Sequence, residues 1–280
     1  ARARRPRESA LARALQPRDH EAQDGQRDAR LDEDAVAAVV RGVLEGGTVV
    51  DSLSASDDWS ALAGIDVSVT GTVTSDYRYR GISQTAGDWA LQGSFDLAFD
   101  NGFYAGAWAS NVDFGDDADI EIDYYAGYTW EFNEGAGFDL MLNYYTYPGY
   151  SEDADYLEII PSLYFGNFTL LYAYAPDYFN TGDSANYLSG DYAWEFAESL
   201  GVLEGLTLDA HAGWSFGDYW DEWDIGDYGD FSVGVSASWG WADLSLAYLF
   251  NSVDSAEELS SGAFQNDDTL LFTLSSTYDF

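Results

Sequence analysis

The sequence predicts an all-β fold, a transmembrane up-and-down antiparallel β-barrel of about twelve strands behind a disordered or partly helical leader. Three observations predict it. Successive runs alternate apolar and polar side chains with period two. The connections between those runs are short turns and longer acidic loops by turns. The last run alternates up to a terminal phenylalanine, Phe280.

Composition narrows the field first. The chain has 280 residues, with 50 acids against 11 bases and a formal charge of -39. That balance excludes a nucleic-acid partner, because phosphate binding needs clustered Lys and Arg. With no cysteine there is neither a disulfide framework nor a thiolate metal site. No apolar run reaches the roughly 18 residues of a transmembrane helix, a test that barrel strands escape. The chain has no Lys, and nine of its Arg lie at or before Arg41. From Ile65 onward, 38 acids face only Arg78 and Arg80.

Residues 1–63 read as a leader. Residues 1–30 are rich in Arg, Asp, Gln and Ala, and too poor in aromatic and β-branched side chains to fold alone. Leu31, Ala35, Val39 and Val43 stand at near-helical spacing, so a short helix is expected over 31–45. Arg41 and Glu45 interrupt that apolar run and spoil it as an export signal. A removed signal, a fragment or an extended reading frame would each account for this.

Residues 64–280 read as the barrel. Strands are expected at 66–78, 88–99, 103–113, 119–132, 138–147, 156–165, 167–175, 186–196, 206–216, 229–239, 242–252 and 269–280. The clearest puts Ile120, Ile122, Tyr124, Ala126, Tyr128, Trp130 and Phe132 on one face, and Glu121, Asp123, Tyr125 and Glu131 on the other. Runs of about ten residues cross a bilayer when tilted. Short turns are expected at 100–102, 133–137, 166–167 and 240–241, where Gly supplies the positive φ of a tight hairpin. The 197–205 connection is longer and breaks the alternation. The opposite connections, 79–87, 114–118, 148–155, 176–185, 217–228 and 253–268, are long and acidic. Aromatics such as Phe99, Phe103, Trp130, Phe132, Phe165 and Trp239 gather near the short turns, at the level where rings meet lipid headgroups. A soluble β-sandwich or solenoid would also alternate. It would not need so many strand-end aromatics, and no repeat of 20 to 50 residues is present.

The stretch Thr74-Ser75-Asp76-Tyr77-Arg78-Tyr79-Arg80-Gly81-Ile82-Ser83-Gln84-Thr85 resembles the opening motif of the TorF family of porins, also catalogued as Gcw_chp proteins. Gly102-Phe103-Tyr104-Ala105-Gly106, Ser110-Asn111-Val112-Asp113-Phe114 and Asp123-Tyr124-Tyr125-Ala126-Gly127-Tyr128 continue the resemblance. So do Tyr144-Tyr145-Thr146-Tyr147-Pro148-Gly149 and Ala175-Pro176-Asp177-Tyr178-Phe179. The resemblance implies an outer-membrane channel. Family members begin with an ordinary signal peptide, and nothing in this leader resembles one. The terminal Tyr278 and Phe280 resemble the sorting signal of bacterial outer-membrane barrels. The partners implied are outer-membrane lipid, the barrel assembly machinery during insertion, and small solutes or cations. No cofactor is implied, and no motif sets an oligomeric state.

The chemistry expected of such a body is passage. The polar face carries Asp96, Glu121, Asp123, Asp139, Glu158 and Asp209, and inward carboxylates favour cations. Equally, these acids can be a solvated face of salt-adapted composition. Arg78 and Arg80 stand two apart, sharing one face at the end of the first strand. They are candidates for an electrostatic gate or a carboxylate clamp. The plainer reading is an ion-pair network that folds the first loop inward. His211, the one histidine of residues 64–280, has Asp209 on the same face and offers itself for hydrolase chemistry, but no G-x-S-x-G is present. The acidic loops 113–119 and 221–230 do not fit a calcium-loop pattern. The function expected is therefore a porin that passes small solutes passively with a cation bias. The alternatives are a plugged structural or adhesive barrel and, behind it, an outer-membrane hydrolase.

Overall fold

A computed structural model describes residues 64–222, 225–253 and 263–280. The leader and its expected helix over 31–45 lie outside the described residues. Twelve strands close into one antiparallel barrel. They are β1 (Ile65–Thr74), β4 (Ala90–Phe99), β5 (Phe103–Asn111), β6 (Ile120–Asn133), β7 (Ala136–Thr146) and β8 (Tyr156–Phe165). β9 (Phe168–Ala175), β10 (Ala185–Leu200), β11 (Leu203–Phe216), β12 (Tyr228–Trp239), β13 (Ala242–Asn251) and β14 (Thr269–Asp279) complete the ring. A two-residue hairpin, β2 (Arg78–Tyr79) with β3 (Ile82–Ser83), stands apart as a separate small sheet. Each barrel strand pairs with its sequence neighbour, and β1 closes on β14 with Ser68 opposite Asp279 and Thr74 opposite Thr273.

The alternation sorts the two faces as a membrane barrel requires. Tyr124, Trp130, Leu142, Leu170 and Val235 point outward and stay exposed, Trp130 to 61%. Between them, Glu121, Asp123, Asn143, Glu158 and Asp230 point inward and are buried. Among the described residues, no helix is long and apolar enough to cross a membrane.

Two expectations are corrected. The connection at 197–205 is not long. β10 runs on to Leu200 and β11 starts at Leu203, so Gly201 and Val202 form a tight turn, with Gly201 at φ +69°. Irregularities between Glu195 and Ala197, and between Glu204 and Thr207, break the period-two pattern there. An extra residue at a bulge hides a strand from an alternation test. Second, the first strand stops at Thr74, not at 78. Arg78 and Arg80 therefore sit in the first long loop, not at a strand end. The buried Asp76 carboxylate turns the chain inward, accepting hydrogen bonds from Ser83 Oγ at 2.6 Å and Thr85 Oγ1 at 3.1 Å.

The long-loop end carries the packed core. Phe114, Tyr147, Tyr156, Tyr178, Tyr219 and Trp220 are buried there, with Ile82 of the hairpin among them. Ring centroids follow one another at 4.4 Å from Tyr145 to Tyr156, 4.8 Å to Tyr178, 4.7 Å to Tyr219 and 4.9 Å to Trp220. Two short helical pieces supply rings to this cap: a 3₁₀ turn at Tyr178–Asn180 and α1 (Asp218–Glu222). Among the described residues the short-turn end has no such core, and its inner wall is polar.

Candidate pore and its closure

The first loop enters the barrel mouth as a hairpin. Gly81 makes this possible. It adopts φ +83°, and a Cβ there would lie 2.8 Å from the Asp230 Cβ. Only glycine tolerates both that conformation and that approach. Arg78 fastens the hairpin to the segment before β14. Its Nε donates to Asp76 Oδ2, and its Nη1 donates to the backbone carbonyls of Gln265 at 2.9 Å and Gly81 at 3.2 Å.

Arg80 crosses to the facing wall. Its backbone sits at φ +49°, an uncommon position for a non-glycine residue. Its Nη2 donates to both oxygens of Glu158, at 2.9 and 2.8 Å. The guanidinium carbon lies 4.6 Å from the Tyr79 ring centroid and 4.4 Å from that of Tyr187. Tyr145 and Tyr79 add hydroxyl hydrogen bonds to Glu158 Oε2 at 2.9 and 3.2 Å. Glu158 is 0% exposed. Burial works against the Arg80 charge, but the Glu158 carboxylate outweighs it and holds the guanidinium above its ordinary range. Burial likewise pushes the Tyr79 phenol up, which keeps it a donor.

The other expected pore-lining acids divide by depth. Glu121 and Asp123 lie buried beneath the cap, where Tyr77 Oη donates to Glu121 at 3.2 Å and Asn143 Nδ2 donates to Asp123 at 3.0 Å. Asp96, Asp139 and Asp209 lie on the half-open wall below. Asp96 accepts from Ser94 Oγ at 2.7 Å and from the Tyr125 hydroxyl. Asp139 accepts from Tyr104 Oη and Thr129 Oγ1, each at 2.8 Å, and Asp209 accepts from Ser236 Oγ at 2.6 Å. Of the eight candidates the structure joins Arg80 to Glu158 and sets Glu121 beside Asp123. Arg78 goes to Asp76 instead, and the two arginines share no partner.

His211 is fully engaged. Its Nδ1 lies 2.6 Å from Asp191 Oδ1, and its Nε2 lies 2.9 Å from both Asp230 Oδ1 and the Tyr187 hydroxyl. Asp209 is not its partner. Ser232 stands opposite His211 in register, yet neither ring nitrogen is free to take its proton. The triad arrangement of a hydrolase is thus not assembled at His211. A recess of about 240 Å³ opens on this wall, lined by Thr169, Asp191, Asp209, His211 and Ser232. Gly213 makes room for the side chains beside His211, because a Cβ there would collide with the Tyr187 hydroxyl and the Asp230 carboxylate. Among the described residues, no three His, Cys, Asp or Glu side chains converge as a metal cage.

Asp76, Tyr79, Tyr145, Tyr187, Asp191 and Asp230 were not candidates from sequence. Asp191 faces His211 only through the β10–β11 register, and Glu158 meets Arg80 only through the inward loop. The outward Tyr278 and Phe280 pack ring to ring at 4.9 Å, and the Phe280 amide donates to the Val67 carbonyl at 3.0 Å.

Comparison with known proteins adds fold and family. The chain is similar to the NanC porin, with 8% identity over 76% of this chain and 100% of that one, at a TM-score of 0.50. It is also similar to the KdgM porin, at 9% identity over 77% and 99% of the two chains, TM-score 0.46. OprD of Pseudomonas aeruginosa matches at 13% identity over 71% and 63%, TM-score 0.34. The NanC likeness shows a shared barrel fold. No curated protein sequence matches the chain. A family model described as a bacterial protein of unknown function, Gcw_chp, matches residues 59–278, and the chain belongs to that family.

Proposed function

From this family membership and the sorted barrel wall, we propose an outer-membrane channel that passes small solutes by diffusion, with a bias toward cations. The observation that carries the reading is the closed twelve-strand barrel with an apolar outer belt and a polar, acidic inner wall. Lipid takes the belt, and the turns lie on the periplasmic side. The cation bias rests on charge. The hairpin's two arginines are each matched by a carboxylate, Asp76 and Glu158, so Asp96, Asp139, Asp191 and Asp209 set the field of the lower lumen. The Arg80–Glu158 crossing is the narrow point in this reading. The R-G-I-S-Q-T stretch, residues 80–85, supports a likeness to TorF-type porins in this reading.

A second reading has its own observation. The aromatic cap of Tyr156, Tyr178, Tyr219 and Trp220 packs like a core, as a plug would, which favours a structural or adhesive barrel whose loops meet partners outside. One experiment separates the two. The full chain is refolded into planar bilayers and its conductance recorded under a salt gradient. The channel reading expects stable steps with a cation-selective reversal potential, and larger steps for Arg80→Ala. A folded barrel without conductance in either protein rejects the channel and leaves the plug.

A further inference from the structure

The cap over the crossing is not solid. Tyr79, Tyr178, Tyr219, Tyr228 and Phe264 close around a cavity of about 40 Å³, with Trp220 in its wall. That wall is mostly aromatic, and its buried amide side chain, Gln84, gives Nε2 to the Ile82 carbonyl at 3.2 Å. Trp220 is 4% exposed, and its Nε1 has no acceptor. The indole is not free to turn toward one. Tyr219 and Tyr228 hold it edge-on, with ring centroids at 4.9 and 5.0 Å. A buried N–H without an acceptor forfeits a hydrogen bond that it kept in water. Such groups are rare in folded proteins and point to something that completes them.

The lining sets the chemistry of that partner. An indole N–H only donates, so the ligand brings an acceptor oxygen and not an ammonium group. Ring faces carry partial negative charge, and the described wall holds no base, so the oxygen is neutral and not a carboxylate. A cavity of about 40 Å³ admits the short end of a molecule, since one water takes about 30 Å³ of the liquid. A hydroxymethyl end fits: its oxygen accepts from the indole, and its carbon lies against the rings. The lumen wall repeats the preference. Thr70 and Thr277 of β1 and β14 share a hydrogen bond at 2.9 Å, Thr74 and Thr273 share one at 3.1 Å, and Thr72 faces Ser275. Hydroxyls both donate and accept, so they exchange partners with a hydroxylated solute without any charge.

We propose that the cap cavity is a binding subsite for a neutral polyhydroxylated solute, a sugar or polyol, whose primary hydroxyl accepts from Trp220 Nε1. Tyr79 joins this subsite to the crossing. Its ring lines the cavity and lies 4.6 Å from the Arg80 guanidinium carbon, and its hydroxyl donates to Glu158. Binding at the cavity stands by itself; passage of the bound solute rests on the channel reading.

Methyl glucopyranoside is the probe, and its 6-deoxy counterpart, which lacks only the primary hydroxyl, is the control. The full chain is refolded in a detergent without a sugar head group, and each glycoside is titrated by saturation-transfer NMR. The expected result is saturable binding of the glucoside and binding about tenfold weaker for the deoxy compound, the size of one lost hydrogen bond to a buried donor. Trp220→Phe keeps a ring and removes the N–H. It should weaken the glucoside by the same factor and leave the deoxy compound unchanged. Equal binding of the two glycosides by the native chain overturns the proposal, and so does absence of binding; neither result needs the variant to fold. A folded Trp220→Phe that still prefers the glucoside overturns it as well, because the donor then lies elsewhere. Conductance of the same preparation is recorded in planar bilayers. Binding without conductance supports the subsite and rejects only the channel. Conductance without binding overturns the subsite and leaves the channel.

Discussion

Arg80 shows what one side chain contributes when its surroundings are built for it. Its charge is neutralised by Glu158, flanked by two tyrosine rings and shut away from water. Breaking such a pair by removing one partner costs about 3–5 kcal/mol, because the other charge stays buried. Arg80→Ala should therefore lower stability by about that amount in chemical unfolding of the refolded barrel. Replacing both partners, in Arg80→Gln with Glu158→Gln, should cost less than the two single losses added together. Additive losses would mean the pair does not act as a unit. The sequence anticipated an ion-pair network that folds the first loop inward, but not which carboxylates it uses. Arg80 stood out there as a rare cation, but its partner lies 78 residues away on β8, and only the fold brings the two together.

At the scale of elements, legibility depended on whether a segment faces two solvents. β6 sorts Tyr124 and Trp130 to one side and Glu121 and Asp123 to the other, so its period was plain in the residues. β10 and β11 were read short because bulges near Ala197 and Glu204 interrupt that period where the strands still pair. The inward fold of the first loop was anticipated, but its path was hidden for another reason. Its path is set by Asp76 capturing Ser83 and Thr85, hydrogen bonds that no periodicity encodes. The β2–β3 hairpin is held at its tip by Gly81, which yields a prediction. Gly81→Ala forces a side chain into an unfavourable φ and against Asp230, at a cost of about 1–3 kcal/mol. The loss should be local. Amide exchange should quicken across residues 77–86 while β6 to β8 stay protected. Equal quickening in the strands would show that hairpin and barrel open together.

The whole molecule carries a net charge of -39, and the described acids crowd both the lumen and the long loops. Like charges at this density repel, and added salt screens them. The unfolding midpoint of the refolded barrel should thus rise as sodium chloride increases from about 0.1 M to about 1 M, where the Debye length falls to about 3 Å. A midpoint independent of salt would assign the acids to local hydrogen bonds such as those of Asp96 and Asp139. The overall architecture was the most legible level of all. An outer belt and an inner wall impose one rule on every strand, so twelve weak signals agree.

The seam between β1 and β14 sets a timetable. Ser68 meets Asp279 and Thr74 meets Thr273, partners some two hundred residues apart in the chain. Hairpins such as β6–β7 join neighbours in sequence, but the ring cannot shut until β14 is in place. Until then β1 and β13 each present a row of unpaired amides and carbonyls, able to recruit a strand from another chain. Closure pays its loop entropy last and all at once. A strand-like peptide matching β14 should therefore bind any form of the barrel that lacks its last strand, and the intact ring should refuse it.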